Sequence, residues 1–165
     1  MAPTWLLRTS LWLPRPIDVV FPFFADAANL EAITPPWLRF SILTPPPIHM
    51  AAGTVIDYRL RIRGVPVRWR SRIAEWDPPR SFADEQVRGP YARWYHRHTF
   101  EAKDGGTLVG DEVEFAPPGG PLAPLLFRLL VDKDVRRIFF HRTRALTNRF
   151  GGDPGACTLE ISRRS

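Results

Sequence analysis

Two histidines separated by one residue, His96 and His98, are the side chains of this sequence best suited to chemistry. They lie in residues 94–100, where the alternation of residue types predicts a β-strand, because successive side chains of a strand point to opposite faces. The face that carries both histidines also carries two aromatic residues, Trp94 and Phe100, and the other face carries arginines. The strand therefore places two imidazoles on an apolar, inward face, where they need hydrogen-bond partners or a ligand.

Carboxylates on the neighbouring strands are the expected partners. Residues 102–107 predict a hairpin turn, and residues 81–87 predict a strand on the other side of the histidines. The predicted pairs are His98 with Asp111, His96 with Val113 and with Asp84, and Trp94 with Gln86. A shift of one residue in either register would reverse which side chains face inward, so these pairs depend on the turns.

Three kinds of chemistry are open to this group of side chains. Two imidazoles and two carboxylates could bind a metal ion, or they could act as general acid and base, because an imidazole beside a carboxylate titrates near neutral pH. They could also satisfy one another's hydrogen bonds in the wall of a cavity, which is the interpretation we favour. Since the sequence has no glycine-rich phosphate loop and no cysteine cluster, we predict that no metal and no cofactor is required. The candidate catalytic residues are Asp84, His96, His98 and Asp111.

The order of elements around this group predicts an α+β fold. Alternation and proline breaks indicate a first strand over residues 4–13, then two short helices, the second with Asp26 as N-cap, then five or six antiparallel strands, one of them over residues 38–43. Apolar residues at helical spacing predict one long helix from about Pro121 to Arg149. Only this helix can cover the apolar face of the sheet, so we expect a curved antiparallel sheet of six or seven strands wrapped around it. The predicted domain is residues 1–150, and residues 151–165 are expected to be a loose tail.

A curved sheet closed by one helix leaves a cavity, and the histidines point into it. The predicted lining combines aromatic and aliphatic side chains with a few polar groups, a mixture that is typical of a pocket for a small, largely apolar molecule. The predicted ligand-binding residues are Trp37, Tyr58, Trp69, Ser71, Asp84, Gln86, Trp94, His96, His98, Phe100, Asp111 and Val113, with Leu126, Leu130 and Ile138 from the helix. Trp37 and the helix residues are expected at the opening and the roof.

Composition narrows the class of protein. The chain has 165 residues, enough for one domain with its own core. Its single cysteine, Cys157, excludes an internal disulfide, and its N-terminal apolar run is too short for a signal peptide or a membrane span. We therefore expect a cytoplasmic protein without an integral membrane segment. The net charge of +6 is spread along the chain, so nucleic-acid binding is not predicted.

Arginines dominate the outer face of one predicted hairpin. They are Arg59, Arg61, Arg63, Arg68, Arg70 and Arg72. The pairs Asp57 with Arg70, Glu85 with Arg72 and Arg97 with Glu112 would make this face an ordinary solvated one, which we favour. Arg59 and Arg68 face each other without a carboxylate, which leaves a protein partner or peripheral contact with an anionic membrane surface open.

The sequence resembles the START-like (SRPBCC) superfamily, most closely its bacterial polyketide cyclase/dehydrase-like or CoxG-like branch. The specific segments are Gly89-Pro90-Tyr91 and the Trp-x-His-x-His-x-Phe run over residues 94–100. Further segments that match are residues 20–30, 34–38, 53–58, 76–79, 84–86 and 107–113, so the resemblance covers about residues 4–150. Pro22 departs from the pattern of the family. The resemblance implies the helix-grip fold and a hydrophobic cavity, and it implies these more firmly than any reaction.

We therefore predict that the protein binds a small, largely apolar ligand between the sheet and the long helix. A lipid, an isoprenoid, a polyketide-like molecule and an aromatic molecule all fit the pattern. The first alternative is a cyclase or hydratase without a cofactor that uses the two histidines and the two aspartates as acid–base groups. The second is a module that binds a protein or an anionic surface through its outer arginines. The sequence leaves the ligand and the oligomeric state open.

Overall fold

The chain forms one antiparallel sheet of eight strands with helices against one face, as a computed structural model describes it for residues 3–164. The strands are β1 (Thr4–Leu13), β2 (Ser41–Ile42), β3 (Val55–Ile62), β4 (Val65–Asp77), β5 (Ser81–Arg88), β6 (Arg93–Lys103), β7 (Gly106–Ala116) and β8 (Thr158–Arg164). Their order across the sheet is β2-β3-β4-β5-β6-β7-β1-β8. The α-helices are α1 (Ile17–Phe24), α2 (Leu30–Ile33), α3 (Ala123–Leu126) and α4 (Asp132–Phe150). The predicted α+β helix-grip fold is confirmed, with eight strands instead of six or seven.

Two tight turns set the registers that the sequence predicted. Residues 63–64 and 104–105 all have positive φ angles, between 50° and 83°, which is the conformation of type I′ hairpin turns. The pairs His98 with Asp111, His96 with Val113 and Asp84 with His96 are present. Side chains of β6 alternate in burial along the strand, with His96, His98 and Phe100 buried. The histidines therefore point inward, as predicted.

The short helices that follow β1 fill one end of the core. α1 buries Phe21, Phe23 and Phe24 although Pro22 lies inside it. The second predicted helix is divided into a 3-10 turn (Ala27–Asn29) and α2. Asp26 caps this segment as predicted, because its Oδ1 accepts a hydrogen bond of 2.9 Å from the backbone N–H of Ala28.

The strand predicted over residues 38–43 is much shorter than expected. Pro36–Leu38 forms a 3-10 turn, and Arg39 follows it with a left-handed φ of 44°. Both conformations are incompatible with a strand, so pairing with β3 is limited to Ser41–Ile42.

The long C-terminal helix contains an irregularity that its sequence pattern conceals. It begins with a 3-10 turn (Gly120–Leu122) and α3, passes through a π-helical turn (Phe127–Val131) and continues as α4. A π-turn holds about one residue more than an α-turn, which rotates the preceding residues by about 100° relative to those that follow. Leu122, Leu125 and Leu129 are accordingly more than half exposed, whereas Val135 and Phe139 are buried.

The prediction of a loose tail over residues 151–165 is wrong for its described part. After a 3-10 turn (Pro154–Ala156), β8 pairs antiparallel with β1 over seven residues. Leu159 and Ile161 are half-buried and pack against the core beside α4. An edge strand at the end of a sheet needs few apolar residues, so the low apolar content of this segment did not reveal it.

Removing residues 158–165 is expected to lower the free energy of unfolding by about 2 kcal/mol, because two half-buried aliphatic side chains are lost and the edge of β1 is left unpaired. Urea denaturation measures the loss, and size-exclusion chromatography detects association through the new edge. The matched control is Glu160→Ala, which removes an exposed side chain of β8 and keeps its backbone pairing. Equal stability of the truncated and full-length chains would contradict the importance of β8.

Three apolar clusters surround the space between the sheet and α4. The first contains α1 with residues of β5, β6 and β7, the second joins α4 to β1 and β7, and the third joins the 3-10 turn before α2 to β3. A cavity of about 590 Å³ is lined by members of all three clusters. The elements therefore bury a core around this space and do not fill it.

Candidate functional site

Most of the predicted ligand-binding residues line this cavity. They are Trp37, Tyr58, Trp69, Ser71, Asp84, Trp94, His96, His98, Leu130 and Ile138. The remaining wall is mainly aromatic and aliphatic, with Phe24 and Phe82 near the histidines and Tyr91 near the tryptophans. The cavity therefore combines an apolar wall with polar groups on β4, β5 and β6.

Five predicted ligand-binding residues do not line the cavity, and each has another role. Phe100 and Val113 are buried in the core clusters. Gln86 closes the turn after β5, because its Nε2 donates to the Tyr91 carbonyl at 2.8 Å and its Oε1 accepts from the Tyr91 N–H at 3.2 Å. Leu126 lies just before the π-turn, with its Cδ1 beside Gly119. Asp111 lies behind the histidines and is 7% exposed.

Exposed residues of the cavity lining form the rim of its opening. Trp37, Leu130, Lys133 and Arg137 are among them. The guanidinium of Arg137 lies 4.9 Å from the centre of the Trp37 ring, a cation–π contact that fixes the tryptophan over the helix. The opening is thus aromatic and positively charged, and the inner end is formed by the histidines.

Asp111 is the centre of a buried polar group at the inner end. Its Oδ1 lies 2.9 Å from His96 Nε2, 3.0 Å from His98 Nδ1 and 3.3 Å from Arg142 Nη2. Its Oδ2 accepts a hydrogen bond of 2.9 Å from the hydroxyl of Thr9. We refer to Asp84, His96, His98, Asp111 and Arg142 as the polar cluster.

Asp84 joins the polar cluster from β5. Its Oδ1 lies 3.5 Å from His98 Nε2, and its Oδ2 accepts a long hydrogen bond of 3.5 Å from the hydroxyl of Ser71. The side chain of Asp84 is 22% exposed, against 6% for that of Asp111. Asp84 is therefore the carboxylate that the cavity can reach.

Both carboxyl groups remain charged, although Asp111 is buried and Asp84 is partly buried. Burial raises the pKa of Asp111, but the charge of Arg142 and the hydrogen bonds from both imidazoles outweigh it and hold that pKa well below its usual range. Burial likewise raises the pKa of Asp84, and the hydrogen bond from His98 reverses the effect, so this pKa is also lowered. At neutral pH both aspartates therefore accept hydrogen bonds and donate none.

His96 is neutral at physiological pH. Burial lowers its pKa, the neighbouring His98 lowers it further, and the opposing effect of Asp111 leaves the pKa at about 4. Since Asp111 is ionised, the nitrogens that face it, His96 Nε2 and His98 Nδ1, must carry hydrogen. The other nitrogen of His96, Nδ1, is then left for a ligand, whereas His98 Nε2 faces Asp84 Oδ1 at 3.5 Å.

Three members of the polar cluster could also hold a metal ion. Asp84, His96 and His98 each offer one ligand atom, and these atoms lie within 4.8 Å of one another. Two imidazoles and a carboxylate suit a divalent transition metal, and Asp111 would then orient both rings from behind. The positive charge of Arg142 on Asp111 opposes a cation here, and the absence of a metal requirement stays a prediction.

Arg142 is the member of the polar cluster that the sequence analysis missed. It lies on α4, three residues after Phe139 and four before Leu146, both of which are buried. Arg142 is itself only 8% exposed, and its guanidinium lies 5.3 Å from the centre of the Phe24 ring. A charged residue on the apolar stripe of a helix was the available signal, because such a position is normally apolar.

Aromatic rings form the side walls of the cavity. Trp94 contacts Trp69 and Tyr91, with ring centres 5.5 Å and 4.8 Å away. Phe82 stacks on His98 at 4.3 Å. The indole Nε1 of Trp69 donates to the hydroxyl of Ser71 at 3.1 Å. These contacts pack the rings against their neighbours along two sides of the cavity.

Three of the six outer arginines, Arg63, Arg70 and Arg72, make ion pairs, and two of these pairs, Arg70 with Asp57 and Arg72 with Glu85, were expected. Arg70 makes two hydrogen bonds to Asp57, and Arg72 bonds to Glu85. The expected pair of Arg97 with Glu112 is wrong, because Arg97 Nη2 lies 3.0 Å from Glu75 Oε2 and Glu112 instead accepts from Arg8 at 2.9 Å. Arg59 and Arg68 face each other across β3 and β4.

Comparison with known proteins agrees with this architecture. Residues 13–139 match the family described as polyketide cyclase / dehydrase and lipid transport. No curated protein matches the chain. Among residues 3–164, no helix is both long and apolar enough to cross a membrane.

Similar solved structures include the Zhui aromatase/cyclase from Streptomyces, with 19% identity, a TM-score of 0.69 and coverage of 88% of this chain and 93% of that one. A protein from Chromobacterium violaceum has 15% identity and a TM-score of 0.68, with coverage of 90% and 98%. The major latex-like protein 151 from Panax ginseng has 14% identity and a TM-score of 0.66, again with coverage of 90% and 98%. At these identities the likeness shows the fold alone.

Proposed function

The chain belongs to the polyketide cyclase/dehydrase and lipid transport family, and from this premise we propose that it binds one small, largely apolar molecule in the cavity between the sheet and α4. The family supports a ligand-binding or cyclase-type function. The observation that carries the proposal is the cavity of about 590 Å³, whose wall is mainly apolar and whose inner end is the polar cluster. Binding pockets for small molecules have this size and this distribution of polar groups.

The first experiment is native mass spectrometry of freshly purified protein, which detects a molecule that copurifies. Thermal unfolding with a panel of lipids, isoprenoids and polycyclic aromatic compounds follows. A ligand present at 100 times its dissociation constant stabilises the native state by about 2.7 kcal/mol, which raises the melting temperature by roughly 5 to 10 °C for a chain of this length. A chain that binds none of these compounds would contradict the proposal.

Replacing Trp94 with leucine is expected to weaken binding at least tenfold while the protein remains folded, because the indole forms one wall of the cavity. The matched control is Trp12→Leu. Trp12 is also a strand tryptophan, but it is 38% exposed and lies outside the cavity lining. Titrations followed by fluorescence or calorimetry measure both affinities. Equal loss in the two variants would show that the effect is not specific to the cavity.

A second candidate function is acid–base catalysis on the bound molecule. The observation that favours it is the position of His98 between two carboxylates, with Nε2 and Asp84 Oδ1 3.5 Å apart at the accessible side of the polar cluster. This pair could remove a proton next to a carbonyl and return it elsewhere, as a cyclisation requires. Incubation of carbonyl compounds in D₂O, with α-hydrogen exchange followed by NMR, tests it. Exchange that His98→Gln or Asp84→Asn leaves unchanged would exclude this pair.

A further inference from the structure

An open groove of about 1070 Å³ follows α4 and is a second depression besides the cavity. Side chains of α4 between residues 136 and 149 form most of its lining, and Ile33 of α2 and Leu159 of β8 add apolar surface. Phe140 and Trp37 also line it, although they are 58% and 45% exposed. Large aromatic side chains left in water at a concave surface are typical of an interaction site.

The groove is basic along its whole length. Four arginines line it, and no aspartate or glutamate of the described chain does so. Arg136 pairs with Asp132, whereas Arg137, Arg144 and Arg149 have no ion pair within residues 3–164. Three positive charges on one helix face therefore lack a negative partner, which gives the groove a positive potential that attracts acidic groups.

Aromatic rings position these three arginines. The distance from the guanidinium carbon to the ring centre is 4.9 Å for Arg137 and Trp37, 6.0 Å for Arg144 and Phe140, and 4.4 Å for Arg149 and Phe23. A cation–π contact restricts a guanidinium without supplying an acceptor for its N–H groups. These groups therefore remain available for hydrogen bonds to carboxylates, which the planar guanidinium binds in pairs.

We infer that the groove binds an acidic amphipathic helix of another protein. Arg137 and Arg149 are 12 residues apart on α4, which corresponds to about 18 Å, the length of a partner helix of about three turns. The carboxylates of this helix pair with the three arginines, and its apolar side chains pack on Phe140 and Trp37. Phe140 and Arg144 do not line the cavity, so the groove is a surface separate from the proposed ligand site.

The combination of charge and aliphatic surface favours a peptide helix over other anionic partners. A nucleic-acid backbone would satisfy the arginines but has no apolar face for Ile33, Ala145 and Leu159. The surface of a bilayer reaches protruding side chains, whereas these three lie inside a groove. Since the lining consists mostly of helix side chains, an extended segment would find no row of free backbone groups, and a helix satisfies its own.

The test uses three fluorescent peptides of about 14 residues, a length that spans the groove. The first is an amphipathic helix of glutamate, leucine and alanine, the second carries lysine in place of glutamate, and the third has the composition of the first in an order without an apolar face. Anisotropy titrations at about 50 mM salt are expected to show that the first peptide binds about tenfold more tightly than either of the others.

Two variants test the groove itself. Arg144→Glu should weaken binding of the acidic amphipathic peptide about tenfold, and Phe140→Ala should weaken it about fivefold. The matched controls are Arg59→Glu, which reverses the charge of an exposed arginine on β3, and Leu122→Ala, which truncates an exposed side chain outside the groove. Both controls should keep the affinity of the wild type to within about twofold, because they lie away from the bound peptide.

NMR locates the peptide independently of its affinity. The backbone amide resonances of residues 136–149 should shift when the acidic amphipathic peptide is added, and those of β3 and β4 should stay in place. Several results would overturn the inference: no binding up to about 1 mM peptide, equal affinity for the first and third peptides, or binding that Arg144→Glu and Phe140→Ala leave unchanged. Tighter binding of a mixed-sequence RNA or of phosphatidylglycerol vesicles through the same arginines would also overturn it and assign the groove to that partner.

Discussion

Replacing Asp111 with asparagine is expected to lower the free energy of unfolding by about 3 to 5 kcal/mol, the usual effect of removing one partner from a buried ionic group. The Asp111 carboxylate is contacted by four polar side chains, those of His96, His98, Arg142 and Thr9. An asparagine has no charge for the guanidinium, and its amide can accept through one atom only. Arg142 would remain buried without adequate compensation. Since folded domains are stable by about 5 to 15 kcal/mol, a large part of the stability would be lost.

Urea denaturation of Asp111→Asn and of the wild type at pH 7.5 measures this loss. Asp57→Asn is the matched control, because Asp57 also pairs with an arginine on a strand but does so at the exposed outer face. Its removal should change the urea midpoint only slightly. If Asp111→Asn and Asp57→Asn lose equal stability, the polar cluster does not contribute to stability in the way its geometry indicates.

A double replacement separates the charge effect from packing. The variant Asp111→Leu/Arg142→Met removes both charges and fills the space with apolar atoms. Its loss of stability should be clearly smaller than the sum of the losses in Asp111→Leu and in Arg142→Met. The difference measures the coupling between the carboxylate and the guanidinium, which lie 3.3 Å apart. Strict additivity would mean that the two charges do not act on each other.

The sheet and the histidine–aspartate pairs could be predicted because local rules determine them. A two-residue turn sets the register of β6 and β7, and the alternation of a strand then decides which side chains face inward. The pairing of His98 with Asp111 followed from these two rules. The same rules could not place Gln86, because its role depends on the conformation of the turn that it closes.

Arg142 and β8 escaped prediction for a different reason. The face of a helix that meets the sheet is set by packing, and the π-turn at Phe127–Val131 changes the phase of the apolar stripe between α3 and α4. Arg142 lies after this turn at helical spacing from Phe139 and Leu146, a signal that the other arginines of α4 obscure. β8 owes its position to the free edge of β1, a feature of the assembled sheet that residues 158–164 do not encode locally.

Acidification from pH 7.5 to pH 4 is expected to lower the free energy of unfolding by about 3 kcal/mol through His96 alone. The pKa of His96 is about 4 in the folded protein, because burial and His98 both lower it, whereas an unfolded chain gives histidine a pKa of about 6.5. Below pH 6.5 the unfolded chain takes up a proton that the folded protein does not, so stability falls with falling pH until both states are protonated near pH 4. The lowered pKa values of Asp84 and Asp111 act in the same direction but only below about pH 4, where unfolded carboxyl groups become protonated.

Urea denaturation at several pH values between 7.5 and 4.5 measures how stability depends on pH. The variant His96→Gln tests whether His96 causes this dependence. Glutamine can still donate an N–H to Asp111 but does not titrate, so the variant should be less stable at pH 7.5 and should lose most of the slope between pH 6.5 and 4.5. Phe139→Leu is the matched control. Phe139 contacts His96, with ring centres 5.7 Å apart, and its side chain has no titratable group. It should lower stability by a similar amount at every pH and keep the slope of the wild type. A slope that persists in His96→Gln would show that another group causes the acid sensitivity and that His96 is not held neutral by its burial.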